Sequence, residues 1–214
     1  PENFKKAWIH VWELSRSLGL DQKDILFDFS VNHRDMPTLW KPSQQAKLIQ
    51  CKPDKKCHHF EDYFPGEAYV DIVGVTFYNR WKATSNRLWK NPGQILNDPE
   101  WKTLERLKSL WKPLFIDEVW TTAVWYDEKY SSKASRSSFL STESDTRKNQ
   151  WLKELSELLK ANHFLGAVYF NVDYTNGLNL PSVWEADRAI INTTIDKFYD
   201  GFWDLYSSSK FQNT

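Results

Sequence analysis

Four short apolar segments, spread evenly along the chain, constrain its fold more than any other feature of the sequence. They are 25–30, 70–77, 114–120 and 166–171, and they are rich in β-branched and aromatic residues. Their centres lie about 46, 42 and 52 residues apart, and helical apolar patterns cover 3–18, 98–110, 146–161 and 182–206. Strands that are apolar throughout and alternate with helices are typical of a parallel sheet covered by helices.

This α/β pattern suits either an open doubly wound sheet or part of an eight-stranded barrel. No glycine-rich phosphate-binding motif follows any of the four segments. The sequence therefore gives little support to a nucleotide-binding open sheet. In a barrel, function lies at the carboxyl ends of the strands, so we expect binding residues in the long segments 33–68 and 121–145.

The charge balance and the aromatic content indicate an uncharged partner. Lys plus Arg number 28 and Asp plus Glu number 28, which favours neither nucleic acid nor an anionic membrane. No apolar run approaches the roughly 20 residues of a membrane span. With 12 Trp residues and 16% aromatic residues, the chain exceeds what core packing needs. Sugar rings stack on aromatic planes, so a carbohydrate partner is favoured. We expect no cofactor and no metal.

One apolar segment ends in a carboxylate. Within 112–120, Leu114, Ile116 and Glu118 share one face by the two-residue period of a strand. If the aliphatic residues point into a barrel, Glu118 does as well, and Asp117 then faces the helices. The alternative is a surface carboxylate that follows a strand and has no role.

Another segment resembles a known family. Residues 63–79, YFPGEAYVDIVGVTFYN, closely resemble the signature YYPGDxYVDxVGxDxYN of glycoside hydrolase family 26, which consists of mannanases and related β-glycanases on a TIM barrel. Segment 112–120, KPLFIDEVW, is similar to the family's seventh strand, KPxxxxE. Segments 27–32, 4–12 and 167–171 resemble its fifth strand, the helix after its fourth strand and its eighth strand. The similarity follows the family's order along nearly the whole chain.

The resemblance implies a (β/α)8 TIM barrel in which residues 1–214 form the C-terminal half of the catalytic domain, covering approximately strands 5 to 8 with their helices. It implies a retaining, endo-acting hydrolase of a β-linked polysaccharide, foremost β-1,4-mannan, with Glu118 as nucleophile. Tyr78 would donate a hydrogen bond that keeps this carboxylate ionised and oriented. The alternative for Tyr78 is an ordinary buried tyrosine at a strand end.

The family's acid/base Glu ends its fourth strand, which would precede residue 1. We therefore expect the N-terminal half of the barrel in the same or another chain. Four strands alone would leave open sheet edges and a large apolar wall, so we expect residues 1–214 not to fold alone as a monomer.

Further residues are expected to bind sugar. Asn32 and His33 lie at the end of the first apolar segment, on the side where barrels bind substrates, although His33 is equally compatible with a loop histidine that has no role. The aromatic candidates for sugar stacking, each with core packing as its alternative, are Trp81, Trp120, Trp125 and Trp184.

The two cysteines allow three interpretations. Cys51 and Cys57 are followed by two histidines, and they could form a disulfide, remain free thiols or bind zinc at an unusually crowded spacing. A disulfide suits a secreted enzyme, and we expect an extracellular or cell-surface location.

The competing function is a non-catalytic carbohydrate-binding or structural protein that retains the barrel without hydrolysis.

Overall fold

A computed structural model of the chain describes residues 1–34, 58–79, 90–121 and 148–170, and the backbone alone of 144–147, 191–192 and 197–198. The chain forms two compact units. The first comprises Pro1–Thr76 and Leu96–Asp117, and the second comprises Phe77–Ile95 and Glu118–Thr214. Each unit is therefore assembled from two separate stretches of sequence.

Strands β1 (Asp28–Asn32), β2 (Ile72–Asn79), β3 (Leu114–Thr121) and β4 (Ala167–Tyr169) form one parallel sheet in the order β1-β2-β3-β4. In the register of the first pair, Asp28 lies opposite Ile72 and Asn32 opposite Thr76. The strands overlap the four apolar segments, so the predicted α/β class is confirmed. Parallel neighbours that follow one another in sequence need a crossover connection, in agreement with the helical patterns predicted between β2 and β3 and between β3 and β4.

The helices are α1 (Glu2–Ser17), α2 (Phe60–Tyr63), α3 (Pro92–Leu96), α4 (Thr103–Lys108) and α5 (Ser144–Ala161), and a 3₁₀ turn covers Glu67–Tyr69. The helices predicted over 3–18 and 146–161 are thus confirmed as α1 and α5. Within the described ranges, none of the helices combines the length and apolarity that crossing a membrane requires.

In the first unit, α1 packs aromatic side chains on β1. The Trp8 ring lies 6.0 Å from the rings of both Phe27 and Phe29, centroid to centroid. The Trp8 indole N–H also donates a 2.7 Å hydrogen bond to the Tyr69 carbonyl. Because Phe27 and Phe29 turn toward α1, Asp28 between them points to the opposite face of the sheet.

In the second unit, the core is built around α5. Trp151, Leu152 and Leu155 are fully buried. The Trp151 ring packs against Phe77 at 6.4 Å between centroids. Its indole N–H donates a 3.0 Å hydrogen bond to the Lys90 carbonyl, which ties α5 to the segment that precedes α3.

The helix predicted over 98–110 begins later than expected. Asp98 forms a turn in place of a helix start, since its carbonyl accepts hydrogen bonds from the N–H groups of Trp101 (3.0 Å) and Lys102 (2.8 Å). Lys102 then adopts a left-handed conformation with φ 48°, which no helix can include. Helix α4 consequently begins only at Thr103.

The helix predicted over 182–206 is wrong at the residues whose backbone the structure describes. There β5 (Ile191–Asn192) and β6 (Lys197–Phe198) pair as antiparallel strands. The apolar period alone did not distinguish a helix from a pair of short antiparallel strands.

Candidate active site

The end of β1, in the first unit, carries two predicted sugar-binding residues. Asn32 is exposed at the last position of the strand. His33 extends the pairing with β2, because its N–H donates a 3.0 Å hydrogen bond to the Thr76 carbonyl. The His33 carbonyl accepts a 2.5 Å hydrogen bond from the Thr103 hydroxyl. The backbone of His33 is thus fixed from both sides, and sugar binding by Asn32 and His33 stays a prediction.

The first half of β3 faces the opposite way from the prediction. The Asp117 carboxylate lies so close to Gly74 that a Cβ atom at position 74 would overlap it. Asp117 also interacts with Asp28, which points away from α1. Leu114 and Ile116 alternate with Asp117 and are buried, so they lie on the other face. Asp117 thus lies on the sheet face opposite to α1, so the condition under which Leu114 and Ile116 point inward and Asp117 faces the helices is not met, because a two-residue period defines two faces without saying which is inside.

Glu118 does not continue the alternation. Along β3, Asp117 and Glu118 are consecutive half-buried residues, which interrupts the regular pattern of burial. In the second unit, Thr121 is fully buried while Trp120 turns its ring to Tyr78. By the two-residue period Glu118 shares the face of Trp120. Interruptions of this kind occur at β-bulges, which are frequent next to active sites.

Tyr78 and Trp120, two predicted site residues, are brought into contact. Their rings stack with centroids 5.0 Å apart and an angle of 29° between the planes. Trp120 is only 1% exposed, so a sugar could stack on it only after the indole became accessible. Its role as a stacking platform, and the hydrogen bond from Tyr78 to Glu118, stay predictions.

Other predicted residues lie outside the part of the chain that the structure describes. They are Trp81, Trp125 and Trp184, together with Cys51 and Cys57 of the expected disulfide. Among the residues that are described, no three His, Cys, Asp or Glu side chains come together as a metal site.

A carboxyl pair in the first unit was not predicted from the sequence. The pKa of Asp28 is raised from 3.8 to about 7, chiefly by burial, then by a hydrogen bond to Asp117 and by the negative charge of Asp117. A backbone hydrogen bond with Gly74 acts in the opposite direction. Two carboxyl groups hydrogen-bond to each other only when one carries a proton, so the pair shares a proton up to about neutral pH. A glycine inside a strand is the signal of close approach that was available.

Polar residues that join strand ends in the second unit were likewise not predicted as a group. The Asn79 side-chain amide donates a 3.0 Å hydrogen bond to the Thr121 hydroxyl oxygen, and both residues are buried. The Tyr169 hydroxyl lies 3.3 Å from the amide nitrogen and 3.3 Å from the carbonyl oxygen of Thr121. Asn79 ends the family signature of 63–79, but nothing in the sequence connected it to Thr121 or Tyr169, which stand singly at strand ends.

Comparison with known proteins identifies the family. The model of Glycosyl hydrolase family 26 matches residues 47–167, which is more than half of the 214 residues. The matched region contains all of β2 and β3, and with them Tyr78 and Glu118. No curated protein matches the chain. On the strength of the match to its family model, this chain belongs to glycosyl hydrolase family 26.

Proposed function

We propose that the protein is a retaining, endo-acting β-glycanase, that β-1,4-mannan is its substrate and that Glu118 is its nucleophile. Its family consists of (β/α)8 glycoside hydrolases, so a polysaccharide is its substrate class. We assign β1 to β4 to strands 5 to 8 of that barrel, with the rest of the barrel supplied by the same or another polypeptide. The parallel sheet in sequential order is consistent with this assignment.

The single observation that supports the proposal most is the position of Glu118. It lies in the second half of a strand of a parallel sheet, half-buried, within the region that matches the family. Carboxyl ends of parallel barrel strands carry catalytic residues. Glu118 also shares the face of Trp120, whose ring contacts Tyr78, so an aromatic wall lies on the same side of the strand.

In the proposed reaction, the Glu118 carboxylate attacks the anomeric carbon of the sugar. A second carboxyl group, about 5 to 5.5 Å away in retaining enzymes, gives its proton to the glycosidic oxygen as the carbon–oxygen bond breaks. The departing chain leaves as an alcohol, and the sugar remains as an ester of Glu118. The second group then takes a proton from water, whose oxygen attacks the anomeric carbon and releases Glu118, with net retention of configuration.

The decisive experiment is Glu118→Gln in the intact polypeptide. This change keeps the shape of the side chain and removes the nucleophilic oxygen anion, so we expect turnover of polysaccharide to fall by several orders of magnitude. Glu105→Gln is the matched control, because Glu105 is an exposed carboxylate on α4 and its loss should leave turnover unchanged. Near-normal turnover by Glu118→Gln on mannan, glucan and xylan would contradict the assignment.

Substrate and stereochemistry are tested on the same protein. We expect β-1,4-mannan to be cleaved faster than mixed-linkage glucan or β-1,3-xylan, and NMR of the first products to show the β-anomer. Faster cleavage of another polymer would refute the mannan assignment, and an α-anomer would refute retention. Binding of mannan with no hydrolysis by the wild type would favour the non-catalytic alternative.

We also propose that the protein acts outside the cell or at the cell surface, because its polymeric substrate cannot cross a membrane freely. Fractionation of the producing cells should recover the protein in the medium or at the surface. Recovery in the cytosol alone would contradict this location.

A further inference from the structure

We propose that Asn79, Thr121 and Tyr169 form a clamp on the end of β3 and act as positioning residues for Glu118. The inference rests on the proposed function, since it assigns a role in the reaction of Glu118. All of these residues belong to the second unit. The hydrogen bonds of the clamp meet at Thr121, three residues after Glu118 in β3.

The first arm of the clamp is a buried side-chain bond from β2. The Asn79 Nδ2 donates to the Thr121 Oγ1 at 3.0 Å, and the two residues are 2% and 0% exposed. The other end of the Asn79 amide is also occupied, because its Oδ1 accepts a 3.2 Å hydrogen bond from the Lys90 N–H. A backbone N–H can only donate, so the orientation of the Asn79 amide is fixed. Lys90 is in turn tied to Trp151 of α5.

The second arm reaches the backbone of Thr121 from β4. The Tyr169 hydroxyl accepts from the Thr121 N–H and donates to the Thr121 carbonyl, each at 3.3 Å. One residue further along, the Phe170 N–H donates a 2.9 Å hydrogen bond to the Val119 carbonyl. Thr121 is thereby held through its side chain on one edge and through its backbone on the other.

The residue between these contacts is fixed as well. Trp120 stacks on Tyr78, the neighbour of Asn79 in β2. Val119, Trp120 and Thr121 are therefore all held by adjacent strands, whereas the regular alternation of β3 is interrupted just before Glu118. An irregular strand needs another source of order, and the clamp supplies it at Thr121, three residues after the proposed nucleophile.

Nucleophilic attack depends strongly on such order. A misplacement of about 1 Å at a reacting group can cost about 100-fold in rate. Loss of the clamp should therefore lower kcat while leaving the sugar-binding surfaces, and with them KM, nearly unchanged. A purely structural role would instead lower the melting temperature without changing kcat in the folded enzyme.

The test compares Thr121→Val with Thr121→Ser in the intact enzyme. Valine keeps the shape of threonine but removes the hydroxyl, so the buried Asn79 amide loses its acceptor. Serine keeps the hydroxyl. On the best polymer substrate and well below the melting temperature, we expect Thr121→Val to lower kcat by about 10- to 100-fold with KM changed less than about twofold. Thr121→Ser should retain most of the wild-type kcat.

Two further variants complete the design. Tyr169→Phe removes only the second arm and should lower kcat in the same way. Leu152→Val, in the core of α5, is the control for instability alone: it should lower the melting temperature and leave kcat unchanged.

The outcomes separate the two proposals. The clamp would be overturned by a normal kcat in Thr121→Val, by equal losses of kcat in Thr121→Val and Thr121→Ser, or by an equal loss of kcat in Leu152→Val. In each of these cases the activity of the wild-type enzyme would still support the proposed function. Absence of hydrolysis by the wild-type enzyme would overturn the proposed function, and the positioning role with it.

Discussion

The carboxyl pair of Asp28 and Asp117 should make the stability of the protein depend on pH, and Asp28→Asn should remove that dependence. The pKa of Asp28 is about 7 in the folded chain, against an ordinary value of 3.8. A carboxyl group whose pKa is raised by folding holds a proton in the folded state that the unfolded state has lost. The free energy of unfolding should therefore fall as the pH rises from about 4 to about 7, with the loss complete above that range.

The size of the effect follows from the shift. A rise of about three pKa units corresponds to about 4 kcal/mol in a fully shielded group. Asp28 is only half-buried, so solvent screening reduces the expected value to about 1–2 kcal/mol. Asparagine has the same shape, carries no charge and can donate a hydrogen bond to Asp117. At about pH 8 the Asp28→Asn variant should thus be more stable than the wild type by about 1–2 kcal/mol, and at about pH 4 nearly equal to it.

Urea unfolding of both proteins at a series of pH values between about 4 and 8 measures this difference directly. Other groups that titrate in this range contribute equally to both proteins and cancel in the comparison. Glu105→Gln, which removes an exposed carboxylate, should follow the wild-type curve. A constant difference between wild type and Asp28→Asn over the whole range, or a less stable variant at high pH, would refute the reasoning.

Two further predictions concern contacts in the first unit. Gly74→Ala should destabilise the protein by about 1–3 kcal/mol, since its Cβ overlaps the Asp117 carboxylate, and Asp117→Ala in the same chain should recover part of the loss. A double-mutant cycle of urea unfolding measures this, and additive effects would show the overlap to be unimportant. Arg106→Lys should lower the free energy of unfolding by about 1–2 kcal/mol, because lysine cannot reproduce the two hydrogen bonds to Glu61 or the contact with the Phe60 ring at 4.1 Å. Thermal melting checks this, and an unchanged melting temperature would argue against it.

The elements of the sheet could be predicted from the sequence because each strand is a compact apolar run. Three of the four observed strands extend one or two residues beyond the predicted carboxyl end, and the fourth stops two residues short of it. Helix starts were less predictable, since Asp98 and Pro99 suit a turn as well as a helix, and the left-handed conformation of Lys102 has no signature in the sequence.

The contacts of the candidate site were harder to predict than its residues. Family resemblance pointed to Tyr78 and Glu118, but the stacking of Tyr78 on Trp120 depends on the register between β2 and β3. The faces of Leu114 and Ile116 could not be assigned from the sequence because apolar residues cover both sides of a parallel sheet. The interruption of the burial pattern at Asp117 and Glu118 depends on local backbone geometry, and the residue types of 112–120 do not indicate it.

The close approach of Gly74 to Asp117 has a consequence for how this sequence can evolve. The carboxylate occupies the space that any side chain at position 74 would need. A descendant that acquires alanine or serine at position 74 should therefore lose less stability if position 117 has already become smaller, whereas the opposite order passes through a less stable intermediate. The two positions should consequently change together more often than independent positions do, although they lie more than forty residues apart in the chain.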